Sequence, residues 1–170
     1  METMYIAALG FVPKNGTNGI CHKIYGDYAI EIDFEKQGIN YGNSIVAESR
    51  TTQNFSQPEN FVVLECVDRL LTKGYKPQNI ILEKTWPSGH GTSGRLDICV
   101  NREDGTPYML IECKTYGKEY NRESAKIHKD GGQLFTYFQL SGGKADVVML
   151  YASELKGSKF VYVNEIIKIE

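Results

Sequence analysis

The chain has 170 residues, 41% of them hydrophobic, and a formal net charge of -2. That is enough apolar material for one well-buried core and too little for two, and the charge excludes a domain coated in basic residues, so any nucleic-acid contact must be local or shared with another domain. No run approaches the roughly 18 apolar residues needed to cross a bilayer and no secretory pattern opens the chain, which points to a cytoplasmic protein without membrane contact.

The first β-prone runs, residues 20–25 and 28–34, are separated by Gly26-Asp27 and read as a hairpin. They fall in an N-terminal extension, residues 1–55, expected to pack on a core formed by residues 56–170. Ser56-Gln57-Pro58-Glu59 carries a helix-start signature, and residues 61–73 follow as a helix ended by Gly74. Its apolar stripe is Val63, Leu64, Val67, Leu70 and Leu71, a register that leaves Glu65 off the stripe. Residues 80–86, 96–100 and 108–114 read as strands, the last two joined across an Asp104-Gly105 turn. Residues 115–130 read as a polar interval whose lysines and arginines are solvated, though placed where DNA would enter. A short helix over 133–140, a strand over 147–151, and one or two strands within 160–169 complete the chain. The four cysteines, Cys21, Cys66, Cys99 and Cys113, form no C-x-x-C pair and read as reduced thiols.

Chemistry concentrates in two of these strands. Side chains alternate along a strand, so Glu112 and Lys114 share one face while Ile111 and Cys113 take the other. An antiparallel hairpin can bring Asp97 beside Glu112. Carboxylates are depleted in strands, and burying two of them costs several kcal/mol each unless something balances the charge. Lys114 alone hardly offsets both acids. A structural ion pair is one outcome; a bound Mg2+ able to activate water against a phosphodiester is the favoured one.

Asp97, then Glu112-x-Lys114 after a helix bearing Glu65, resembles the PD-(D/E)xK nuclease superfamily. Within it, Gly94-Arg95-Leu96-Asp97, Ile111-Glu112-Cys113-Lys114 and Gln133-x-x-x-Tyr137 resemble the N-terminal nuclease domain of the R subunit of type I restriction enzymes. Leu96 stands where the superfamily often has Pro. The resemblance implies an α/β restriction-endonuclease-like core, a central mixed sheet flanked by helices. It also implies that Asp97 and Glu112 hold Mg2+, or Mn2+ in its place, that Lys114 assists the nucleophilic water, and that Glu65 completes the acidic site. Gln133 and Tyr137, four apart on one helix face, then support cleavage close to the metal or the DNA. The partners implied are double-stranded DNA and the motor, methyltransferase and specificity modules of a restriction complex.

Residues 89–94 fit G-x-G-x-x-G, but a strand follows them rather than the helix a dinucleotide site requires. A loop that lets Arg95 or His90 contact a phosphate is one alternative, and a plain turn is the favoured one. The sequence contains no G-x-x-x-x-G-K-[ST] phosphate loop, so ATP would act only through a motor domain on another chain or segment. Two rival functions remain open from sequence: a stand-alone repair or junction-resolving nuclease, and an inactive nuclease-like DNA-binding or docking module.

Overall fold

A computed structural model describes residues 2–87 and 94–168. A short helix, α1 (Glu2–Ala8), precedes a four-stranded antiparallel sheet of β1 (Val12–Pro13), β2 (Ile20–Tyr25), β3 (Tyr28–Asp33) and β4 (Gly38–Asn40). The expected hairpin is β2–β3, paired from Tyr25↔Tyr28 outward. Its alternation is clean: Tyr28, Ile30 and Ile32 are buried, and the residues between them are half-buried.

The central sheet has the order β10-β9-β8-β7-β6-β5. It comprises β5 (Val46–Ala47), β6 (Ile80–Thr85), β7 (Arg95–Asn101), β8 (Pro107–Cys113), β9 (Val147–Lys156) and β10 (Lys159–Lys168). The β5–β6 and β8–β9 pairs are parallel and the rest antiparallel, giving a mixed sheet flanked by helices. Gly105, at φ +81, makes the turn between β7 and β8, as the Asp-Gly signal requires. A parallel β8–β9 pair cannot be joined by a tight turn, and α3 (Lys118–Asp130) and α4 (Gly132–Leu140) supply the crossover.

One face of this sheet is covered by α2 (Pro58–Thr72) together with the N-terminal sheet. Ile30, Ile32, Ile39 and Tyr41 share a core there with Val63, Leu64, Val67, Ile98, Ile111 and Tyr151. The opposite face carries α3 and α4, where Tyr120, Ile127, Leu134 and Tyr137 pack on Leu96, Cys99, Leu110 and Leu150. All four cysteines are free thiols, and only Cys21 is partly exposed.

The structure corrects or extends the sequence reading at four places. Residues 118–130 are helical rather than an irregular polar interval; the inward stripe is only Tyr120, Glu123 and Ile127, too narrow and too polar to stand out. Residues 2–8 also form a helix, held by buried Ile6 and by the Tyr5 hydroxyl, which donates to the Phe61 carbonyl at 2.8 Å. The last strand is continuous and pairs with a β9 that runs five residues past Tyr151. Finally, Glu65 is not off the buried side of its helix: it is 2% exposed.

Candidate active site

The site lies where β7 begins and β8 ends. The register Ile98↔Ile111, continued by one residue, sets Asp97 opposite Glu112. Side-chain alternation breaks at this point, because Leu96 and Ile98, two apart on one strand, enter the two different cores. On the neighbouring strand Glu83 sits at φ +54, a left-handed conformation unusual for a residue with a side chain. Strand regularity is therefore given up where the carboxylates gather.

Asp97 Oδ2 accepts the backbone N–H of Cys113 at 2.7 Å. Lys114 Nζ donates to Glu112 Oε1 at 2.6 Å and stands 3.6 Å from Glu59 Oε2. The other oxygen of Glu112, Oε2, is buried with no hydrogen-bond partner. Burial pushes the Asp97 carboxyl up to about 7 against the pull of Lys114, with Glu59 and Glu83 adding to the rise. Burial, and then the charge of Asp97, pushes Glu112 well above the usual carboxylate range. Burial works against the charge on Lys114, but Glu112 and Asp97 outweigh it and hold the ammonium above its ordinary value. Glu59 is also raised, chiefly by burial. The cluster has more acid than one lysine neutralises.

Asp97 and Glu59 face a cleft of about 620 Å³, lined also by Glu83, Arg95, Thr115 and Glu119 and walled by the loop from Thr51 to Gln57, with Glu112 and Lys114 behind them. Glu83 fixes that loop: its carboxylate accepts the N–H of Thr51 at 3.1 Å and also the Thr51 hydroxyl. The Asn60 side chain donates to the carbonyls of Thr51 and Asn54 at 2.7 and 2.9 Å.

The residues singled out from sequence separate into two groups. Asp97, Glu112 and Lys114 come together, and Tyr137 joins them from α4. Its hydroxyl donates to the Arg95 carbonyl at 2.8 Å; burial first, then Glu112 and Asp97, raise its pKa. Gln133 is exposed one turn earlier, its backbone N–H bonded to Glu123 Oε1 at 3.3 Å. Arg95 is at the cleft, its Nε 3.3 Å from Glu83. Glu65 is elsewhere. It takes the Tyr151 hydroxyl and Arg69 Nη2, each at 2.5 Å, on the α2 side of the sheet, whereas Glu112 projects the other way. The helix glutamate beside Lys114 is Glu59, in the first turn of α2. His90 and residues 88–93 lie outside the described residues.

Glu59 escaped the sequence reading because Ser56-x-x-Glu59 looks like a capping box. In the structure Gln57 is the N-cap and makes no side-chain bond to the helix.

Among the described residues no three His, Cys, Asp or Glu side chains converge as a ready-made metal cage. Two carboxylates do, one with a free oxygen, and that suits Mg2+, which usually takes one or two carboxylates and completes its shell with water and phosphate oxygens.

Residues 58–149, from the start of α2 into β9, match the family model described as the type I restriction enzyme R protein N terminus. The chain belongs to this family. No curated protein compared with it gives a match. The restriction-enzyme R family region contains Glu59, Asp97, Glu112, Lys114, Gln133 and Tyr137, while the Thr51–Gln57 wall of the cleft and all of β10 fall outside it. No helix among the described residues is long and apolar enough to cross a membrane.

Proposed function

We propose that this domain is a Mg2+-dependent endodeoxyribonuclease of the PD-(D/E)xK type, hydrolysing phosphodiester bonds of double-stranded DNA for a type I-like restriction-modification system. The observation that carries this reading is Glu112 Oε2, a buried carboxylate oxygen without a partner, next to a second raised carboxyl, Asp97, which lines a cleft. A buried unsatisfied carboxylate is costly, and a divalent cation removes the cost.

Asp97 and Glu112 would hold the cation, with Mn2+ able to substitute. Bound there, it supplies Lewis-acid stabilisation of phosphate charge and makes water a stronger acid. Lys114, charged and anchored on Glu112 Oε1, has donors left for a phosphate oxygen or the attacking water. Glu59 limits the swing of that ammonium. Tyr137 holds the Arg95 backbone and so the start of β7, which sets where Asp97 points. The proposed setting is cytoplasmic, with motor, methyltransferase and specificity modules as partners and ATP consumed only by the motor.

The test couples Mn2+ titration by calorimetry with nicking of supercoiled plasmid in Mg2+. The wild type should bind Mn2+, and Asp97→Asn and Glu112→Gln should each weaken binding at least tenfold and abolish nicking. Equal Mn2+ affinity in all three proteins would overturn the assignment.

A further inference from the structure

The inference rests on the nuclease reading and concerns how the duplex is held outside the cleft. Helix α3 turns Tyr120, Glu123 and Ile127 inward. At about 100° per residue, Lys118, Arg122 and Lys129 all fall within about 20° of the direction opposite Tyr120. They therefore form one straight outward row, rising about 6 Å and then about 10 Å along the axis at 1.5 Å per residue. All three are exposed.

Their alignment on one helix face sets them apart, since Arg50, Lys73, Lys144, Lys159 and Lys168 also lack a carboxylate within 4 Å among the described residues but lie scattered on other elements. Lys14, Lys23, Lys76, Lys84, Arg69 and Arg102 each sit within 4 Å of a carboxylate. On α3 itself Lys126, which is off the row, is taken by Glu123 at 2.9 Å. Among the described residues Lys118, Arg122 and Lys129 have no such partner. The row also starts at the active-site cleft, because Glu119 lines it between Lys118 and Arg122. The Thr115 hydroxyl is the main cause holding Glu119 ionised, and Arg122 and Lys114 add to it.

We infer that Lys118, Arg122 and Lys129 form a backbone-tracking rail that contacts successive phosphates of duplex DNA flanking the cleavage cleft. The cleft is lined by more carboxylates than cations, so it attracts a phosphate poorly without a metal. Affinity must then come from beside it, and a collinear row of unpaired cations on a rigid helix supplies it without reading sequence. A row that merely faces water would show no such dependence.

The experiment measures binding of a random-sequence 30-base-pair duplex by fluorescence anisotropy across a salt series in EDTA, where cleavage and metal play no part. Each phosphate contact contributes about 0.9 to the slope of log affinity against log salt. The triple variant K118A/R122A/K129A should flatten the slope by about 2.7 and weaken binding more than tenfold at about 0.1 M salt, and R122Q alone should flatten it by about 0.9. K159A/K168A, removing two cations at the ends of β10, should leave the slope unchanged. An unchanged slope in the triple variant, equal losses in the β10 control, or no binding by the wild type would each overturn the rail. Mn2+ affinity, measured in parallel, should be the same in wild type and triple variant. Its absence from both with the salt slopes as expected would remove the nuclease reading and leave the rail standing.

Discussion

Asp97 is tied to the middle of the Glu112-Cys113-Lys114 tripeptide by its own carboxylate, which accepts the Cys113 backbone N–H at 2.7 Å. The bond crosses from the irregular start of β7 to the end of β8. It fixes one oxygen of Asp97 and leaves the other for the cleft, so the geometry of the two acids is set by backbone before any ligand arrives.

The first consequence is a pH-dependent stability of the metal-free protein. The folded value of Asp97, about 7, lies above its ordinary 3.8, so the folded state binds the proton more tightly than the unfolded chain does. The contribution is complete below 3.8, declines as pH rises, and is gone once pH has passed about 7. Asp97→Asn removes this titration. Its melting midpoint in EDTA should exceed that of the wild type by an amount that grows between about pH 4 and pH 7 and levels off above, where each 1 kcal/mol is about 2–4 °C in a chain of this size. A constant gap across that range would show that Asp97 is not held protonated. Millimolar Mn2+ at pH 8 should raise the wild type and leave the variant unchanged.

The contrast between what local pattern reveals and what packing decides is sharpest at the two glutamates of α2. The β7–β8 hairpin, with Asp97 facing Glu112, follows from strand alternation and an Asp-Gly turn, both local signals. Which helical glutamate reaches Lys114 does not, because it depends on how α2 rolls against the sheet. Glu65 lies among Leu64, Cys66 and Val67, and Tyr151 and Arg69 admit it to the core. The same limit hid α3, whose inward stripe includes a glutamate held by Lys126 and the Gln133 N–H.

Substitution separates the two glutamates. Glu65→Ala strands the Tyr151 hydroxyl and removes the carboxylate from a partly exposed Arg69, which should cost about 2–3 kcal/mol in urea unfolding with little change in Mn2+ affinity. Glu59→Gln should leave stability within about 0.5 kcal/mol and slow plasmid nicking by about tenfold, by freeing Lys114 to move. The reverse pattern would return the catalytic role to Glu65.

Gly94 is needed for space. A Cβ there would come within 2.6 Å of Tyr137 Cε1, on a ring whose hydroxyl holds the Arg95 carbonyl. Gly94→Ala should cost about 1–3 kcal/mol through overpacking and also disturb the start of β7. Tyr137→Phe should cost only about 1 kcal/mol, the loss of one hydrogen bond. If Gly94→Ala is stabilising, the close packing of Tyr137 on this glycine is wrong.

Glu83 joins backbone irregularity to the wall of the cleft. At φ +54 it places a 2%-exposed carboxylate where it accepts Thr51 and meets Arg95, so one residue holds the 51–57 loop and a cleft cation together. Two opposing effects follow from its removal. Glu83→Gly relieves the left-handed conformation, worth about 1 kcal/mol, but strands the Thr51 N–H and frees Arg95. Glu83→Ala keeps the backbone penalty and loses the same bonds, so the glycine variant should be the more stable of the two by about 1 kcal/mol. Both should speed hydrogen exchange at Thr51 by tenfold or more relative to wild type, while exchange in β8 stays slow. Equal protection of Thr51 in all three proteins would show that Glu83 does not hold the loop, leaving that to Asn60 and to the backbone bonds between Gln53 and Ile39 and between Phe55 and Gln37.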